Sequence, residues 1–490
     1  MIELNTAQIA EITGGRLSAS ADGATRILGV DTDSREIQPG WLFVAKPGEF
    51  SDGHHFLDAA FAAGAVLALT ERTTLDADGN EHPAVIVDDA VDAMGAVAAH
   101  LVRFLKGRGA RVVGITGSAG KTTTKDLLAS ILETTGETIA PVGSYNGEVG
   151  VPLTVFRASE STRNLVIEMG ATGVGHITYL TDMVQPDTGV VLCVGSAHAG
   201  EFGGVDNIER AKGELVEALP ADGTAIINLD DARVARMRER TSARVIGFGI
   251  DAGPVDGVDV ISARRVEVTR NGQPAFDVVF PDGREFSLVS GLIGRHHVYN
   301  LLAAAAAAFA LGVDPGTIVA QLDGRGPTSR WRMERTERAD GVSVVNDAYN
   351  ANPESMRAAL QTLAELGLPD GAGQARRTWA VLGPMLELGD ESVLEHDLLG
   401  RQAVRLNIKK LVVVGREAKP AYNSAVLEGS WGDEAFYAET IDEAEALLTE
   451  QLASGDIVLF KSSNSAGLRH LGDRIAQASA AATAPEETTE

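Results

Sequence analysis

Residues 112–123, Val-Val-Gly-Ile-Thr-Gly-Ser-Ala-Gly-Lys-Thr-Thr, constrain the fold more than any other stretch of the chain. An apolar strand-forming run breaks into a glycine turn and restarts as a helix with apolar positions at Leu127, Leu128, Ile131 and Leu132. Strand, turn and helix in that order build a parallel α/β sheet, with the turn at the carboxyl end of its strand. Glycines let successive backbone N–H groups converge on phosphate oxygens, and the helix N-terminus adds partial positive charge. Gly117, Ser118, Ala119, Gly120 and Thr123 are the predicted cradle, Lys121 the partner of a β/γ-phosphate pair, and the Thr122 hydroxyl a ligand for Mg2+. The strict pattern G-x-x-x-x-G-K-[ST] is not met, because Ile115 stands at its first glycine. The alternative is a plain glycine turn beside an N-capping threonine.

The 490 residues around this unit have room for about three domains. Strand-like runs at 27–30, 41–44, 66–69 and 84–87 lead into a helix expected over 89–105, where Val91, Met94, Val97, Ala98, Leu101 and Phe104 form one stripe. Gly107-Arg108-Gly109 then punctuates the chain, which sets the first domain at 1–107. Strands at 112–116, 164–167, 189–194 and 224–228 alternate with helices, and 258–288 reads as β-hairpins turning at Asn271-Gly272 and Asp282-Gly283. Gly324-Arg325-Gly326-Pro327 closes the second domain, 108–325. Runs at 342–346, 379–382, 410–414 and 456–460 make 326–477 a smaller doubly wound, Rossmann-like third domain. The Ala/Thr/Glu/Pro-rich stretch 478–490 reads as a disordered acidic tail. The expected class is α/β.

A formal net charge of -26 argues against nucleic acid or an anionic membrane as partner, because both need a basic face. A small anion can still be held by local amides and one or two cations. Cys193 is the single cysteine, so an intramolecular disulfide is excluded and a reducing, cytoplasmic setting is expected. The first residues lack a basic segment followed by an apolar core, and the longest apolar stretch, near 301–312, is too short to span a bilayer.

Three further groups stand where a phosphate site would use them. Glu168 ends an apolar strand, His198 follows another in Gly195-Ser196-Ala197-His198, and Lys212 lies on a helical pattern. Taken singly, a solvated glutamate and a structural histidine are equally good readings, and spacing alone favours a surface lysine at 212.

The turn Thr116-Gly117-Ser118-Ala119-Gly120-Lys121-Thr122 resembles that of the Mur ligases and their folylpolyglutamate synthetase relatives. The resemblance implies catalytic roles for Lys121, Glu168, His198 and Lys212, with Thr122, Glu168 and His198 as metal ligands and Lys212 carbamylated to support a second Mg2+. Metals are needed there because phosphoryl transfer to a carboxylate gathers several anions. It also implies that the loop Ser144-Tyr145-Asn146-Gly147 meets phosphates and substrate through Asn146, with Gly147 where the family often has Asn. In Gly294-Arg295-His296-His297-Val298-Tyr299-Asn300, Asn300 is carried over to the ATP site, and His297 replaces the usual first Asn. Cys193, Pro384 and Asn464 stand where the family usually has Asn, Asp and Arg.

Asp347-Ala348-Tyr349-Asn350-Ala351-Asn352-Pro353 resembles the signature of those Mur ligases that add D-alanyl-D-alanine. It implies that Asp347 meets the ATP ribose, Arg332 the γ-phosphate, and Asn350 and Asn352 the dipeptide; the alternative for the asparagines is an Asx-rich turn capping a helix. Asp31-Thr32-Asp33-Ser34-Arg35 and Gly40 through Gly48 resemble the family's uridine-nucleotide domain, which implies Ser34, Arg35 and Lys46 as ligands of UDP-N-acetylmuramoyl-tripeptide. The expected enzyme is a monomeric ATP-dependent ligase acting through an acyl phosphate. Its rivals are a ligase for a different amine, a nucleotide-gated switch, and a non-catalytic UDP-sugar binder.

Overall fold

A computed structural model describes residues 1–48, 51–195, 202–369, 375–429 and 433–478. Three sheets carry the chain. The first has strand order Arg16–Leu17, Ala84–Ile86, Leu67–Thr70, Trp41–Val44, Gly29–Asp31, parallel except for its first member. A small antiparallel pair, Leu4–Asn5 with Arg26–Ile27, flanks it.

The central sheet has nine strands. Arg111–Thr116 lies between Asn164–Glu168 and Thr188–Val191, and Thr224–Asn228, Arg244–Ile250 and Asp259–Val268 continue outward in parallel. Pro274–Val279 and Glu285–Val289 then run antiparallel, as the hairpin turns predict. The helices Lys121–Leu132 and His297–Ala310 cover one face with a shared core. The run Ala303 to Ala308 is fully buried, so small side chains let that helix lie close on the sheet. The Ala90–Gly107 helix contributes to one continuous core with both the first sheet and the opposite central face, which fastens the two units together.

The third sheet runs Glu334–Glu337, Ser343–Asn346, Ile457–Lys461, Thr378–Leu382, Lys410–Val414, Ala435–Ala438, parallel after its first strand. Among the described residues no helix is long and apolar enough to cross a membrane.

Several details depart from the sequence-based expectation: Phe104, expected on the buried stripe of the Ala90–Gly107 helix, is exposed, and the strands Glu334–Glu337 and Ala435–Ala438 are not anticipated. The strand expected over 189–194 ends at Val191. Beyond it the backbone folds over the glycine turn, where Cys193 O accepts from Ser118 N–H at 3.0 Å. The strand Arg244–Ile250 is not anticipated, because Gly247 and Gly249 break its apolar signal. Both glycines are packing requirements: a Cβ would lie 2.5 Å from a Leu229 methyl at 247 and 2.7 Å from the Asp230 carboxylate at 249.

Candidate active site

The glycine turn follows Arg111–Thr116 and opens the helix Lys121–Leu132 without a side-chain cap, so its first amides are left for a ligand. Gly120 sits at φ +84°, and a Cβ there would come within 2.3 Å of Asn300 Oδ1, so only glycine fits. Lys121 Nζ donates to Gly117 O at 2.8 Å. Burial lowers its pKa, opposed by the Glu168 carboxylate.

Register brings the next group in. Glu168 pairs with Ile115, so the carboxylate at the end of one strand faces the turn that leaves the other. The buried Glu168 accepts from Thr122 Oγ1 at 2.9 Å and from Asn146 Nδ2 at 2.8 Å. Ser144 Oγ lies 2.6 Å from the Thr122 hydroxyl. Arg332 reaches across from the third unit and donates to Thr122 Oγ1 at 3.2 Å and Ser144 Oγ at 3.0 Å, with its guanidinium 4.4 Å over the Tyr349 ring. The residues on either side of it, Trp331 (φ +58°) and Met333 (φ +51°), take left-handed backbone that non-glycine residues disfavour. The surroundings hold Arg332 in place against that cost.

Thr122 and Glu168 together present hard oxygen donors of the kind Mg2+ prefers. His198, the third expected ligand, lies outside the described residues. Lys212 is 4% exposed, on the helix Val205–Glu217. Burial, with Lys121 nearby, pushes its pKa down to about 7. Cys193 Sγ contacts Ala119 O at 3.7 Å, and burial raises its thiol pKa.

Beside the turn is a cavity of about 480 Å³, lined by Gly120, Thr123, His297, Asn300, Asp347 and Lys461 among others. Asp347 is held from two sides: Met333 N–H donates to Oδ1 at 3.1 Å and Lys461 Nζ to Oδ2 at 2.6 Å. Lys461 also donates to Asn350 O at 3.1 Å, and burial lowers its pKa against the pull of Asp347. The strand Ile457–Lys461 is otherwise apolar, so a lysine ending a buried strand is the signal that could have marked it. Ser144 and Tyr349, quoted within motifs but given no role of their own, are likewise part of the cluster.

Asn352 serves as a helix cap, the alternative that an Asx-rich turn offers. Its Oδ1 accepts Ser355 N–H at 2.9 Å as cap of the helix Pro353–Leu366, and its Nδ2 donates to Ser118 O at 3.1 Å. One end of the amide is tied to its own helix and the other to the phosphate turn. Asn350 is exposed.

The first unit's candidates form a separate rim. Ser34 and Arg35 follow the strand Gly29–Asp31, and Lys46 follows its parallel neighbour Trp41–Val44, so all three lie along one edge. Arg35 is 86% exposed at its side chain and pairs with Asp33 at 2.6 Å.

The Mur ligase middle-domain profile matches residues 115–308, the Mur ligase glutamate ligase domain 331–464, and the Mur ligase family catalytic domain 26–103. The UDP-N-acetylmuramoyl-tripeptide--D-alanyl-D-alanine ligase of Mycobacterium tuberculosis is 41% identical, over 97% of this chain and 98% of its own. A crystal structure of MurF from Acinetobacter baumannii superposes with a TM-score of 0.83 at 31% identity, covering 97% of this chain and 99% of that one. A MurF ligase from Thermotoga maritima in complex with ADP gives a TM-score of 0.74 at 27% identity, over 91% and 97%. With a relative 41% identical over 97% of its length, the chain belongs to the Mur ligase family.

Proposed function

We infer that this chain joins D-alanyl-D-alanine to UDP-N-acetylmuramoyl-tripeptide, converting ATP to ADP and phosphate, in the synthesis of peptidoglycan precursor. The observation that carries the reading is identity of 41% over nearly the full chain to a ligase of that name. The Thr122–Glu168–Arg332 cluster supports it, since it gathers the groups that such chemistry needs at one turn.

The carboxylate of the tripeptide attacks the γ-phosphorus of ATP, and ADP leaves. The dipeptide amine then attacks the acyl carbon of the resulting acyl phosphate, phosphate leaves, and the nitrogen gives up a proton. Activation is required because a carboxylate resists nucleophiles. Lys121, freed from Gly117 O, and Arg332, freed from Thr122, offset the charge on the moving phosphoryl group. Thr122 and Glu168 would hold Mg2+, with His198 as a further ligand, and the metal supplies charge neutralisation when bound. Asp347, steadied by Lys461, is positioned to accept from the ATP ribose. We assign the contact with the dipeptide to Asn350 and keep Asn352 as a clasp between the third unit and the turn.

Lys212 is suited to carbamylation. With a pKa near 7, a large share of its amines is neutral at neutral pH, and only the neutral amine attacks CO2, releasing one proton. The product is an anionic oxygen pair where a lysine alone would repel Lys121. Arg35, Ser34, Lys46 and Asn146 are assigned to the UDP-muramoyl peptide. The lone Cys193 fits a reducing cytoplasm.

The test is phosphate release from ATP and Mg2+ with the UDP-muramoyl tripeptide, adding the dipeptide or single amino acids in turn. Release matched by pentapeptide product with the dipeptide alone is expected. Turnover preferring another amine overturns the specificity, and hydrolysis indifferent to both substrates overturns the ligase reading.

A further inference from the structure

The linker between the central and third units changes allegiance within two residues. Ser329 Oγ donates to Asp126 Oδ2 at 2.6 Å, on the helix that leaves the phosphate turn. Arg330, the next residue, pairs with Asp473 at 2.9 Å, on the helix Leu468–Gln477 of the third unit. Trp331 Nε1 donates to both oxygens of the same carboxylate, at 3.1 and 3.0 Å. Arg332, which reaches back to Thr122 and Ser144, therefore starts from backbone that belongs to the third unit.

Asp473 has no part in the roles assigned above, yet its partners bracket that arginine. Trp331 precedes it. The third donor to the carboxylate is Asn346 Nδ2 at 3.1 Å, and Asn346 adjoins Asp347, which accepts the N–H of Met333 on the other side. Trp331 and Met333 both take left-handed backbone, at φ +58° and +51°, which L side chains rarely adopt. Such backbone persists only where its surroundings fix it, and here the fixing groups on both sides lead back to one carboxylate. The Trp331 ring also meets the guanidinia of Arg330 and Arg469, 5.1 and 5.2 Å from its centroid.

A tie that merely docked the helix would be redundant, because Leu468, Leu471 and Ile475 already bury its apolar face. We propose that Asp473 is a positioning residue for phosphoryl transfer, holding Trp331 so that Arg332 is aimed at the third phosphate of ATP. The proposal rests on the ligase reading, in which Arg332 meets that phosphate.

The experiment is calorimetric binding, to the intact chain with Mg2+, of ADP and of the β,γ-imido analogue of ATP, which carries the third phosphate but resists hydrolysis. Arg332→Ala should weaken the analogue about ten-fold and leave ADP unchanged, as loss of one charge-assisted hydrogen bond does. Asp473→Ala should weaken it about five-fold, again sparing ADP, and should add nothing to Arg332→Ala. Trp331→Phe keeps the ring and removes only the N–H, and a loss of about three-fold is expected. In turnover, Asp473→Ala should lower kcat about ten-fold in the wild-type background and leave Arg332→Ala as it is.

An analogue bound by Asp473→Ala as tightly as by wild type overturns the proposal. So does a loss shared equally by ADP, or one repeated in full on Arg332→Ala, since either marks a purely structural tie. Should Asp473→Ala not fold, Trp331→Phe decides, and wild-type binding of the analogue there overturns the proposal. Binding is read without turnover, so failure of the ligase reading is seen separately, as absence of dipeptide-dependent phosphate release with the contrast between ADP and the analogue intact.

Discussion

The glycine turn of the central sheet and the outer rim of the first sheet are both assigned to anions, yet they are built differently. At the turn, Thr122, Ser144, Asn146, Glu168 and Arg332 are joined to one another by contacts of 2.6 to 3.2 Å before any ligand arrives. At the rim, Arg35 stands in solvent with its own Asp33 as partner. The turn is preorganised, so a ligand there meets dipoles already aimed, while the rim exchanges one solvated ion pair for another. Deletions should therefore cost far more at the turn.

Glu168→Ala tests the claim at its strongest point. It removes the acceptor of both Thr122 and Asn146, and kcat is expected to fall about 1000-fold. A steady-state kcat within ten-fold of wild type would show that the cluster is structural. Lys212→Ala follows, with a loss of about 100-fold that added bicarbonate does not rescue. The pH dependence has a definite sign. Because the lowered pKa of Lys212 lies near 7, its neutral form grows as pH rises through that value. Wild-type enzyme stripped of CO2 should then regain activity faster at pH 8 than at pH 6 when both are held at the same concentration of dissolved CO2. Equal recovery at both, or normal activity in Lys212→Ala, removes the carbamate.

Asn352 separates local from cross-unit effects. Asn352→Ala loses a helix cap and the bond to Ser118 O, for about 2 kcal/mol of stability in urea unfolding. Asn352→Asp keeps the cap but sets a carboxylate against that carbonyl. It should restore most of the stability while leaving the nucleotide KM raised. If Asp behaves as wild type in both, the contact with Ser118 does not hold the units together.

These differences also decide what was legible beforehand. The turn is local, and twelve consecutive residues announce strand, glycines, lysine and threonine. Glu168 is 46 residues from Thr122, and only the assumption of neighbouring parallel strands brings them together. Arg332 is 210 residues away on a strained linker, and no periodicity points to it; the family resemblance did. Lys461 carries no sequence signal of a role, because a lysine ending a strand looks solvated until Asp347 is placed opposite. Asparagines in a loop suit ligands and helix caps equally, so composition alone does not choose between them for Asn352. Arg244–Ile250 was missed because its glycines serve packing with Leu229 and Asp230, a tertiary demand that strand propensity ignores.

The rim gives the smallest effect and the sharpest contrast. Arg35 is exposed, and its guanidinium already has a carboxylate, so Arg35→Ala should leave folding stability unchanged. If the side chain serves the anionic nucleotide sugar, the KM for that substrate rises about five-fold and kcat stays put, the signature of binding lost equally from ground and transition states. The increase should shrink in high salt, since an exposed charge contact is screened beyond about 10 Å at 0.1 M. A fall in kcat would mean that the rim is coupled to the turn through closure of the first unit. The contrast between a prebuilt centre and a recruited edge would then describe only the open form of the enzyme.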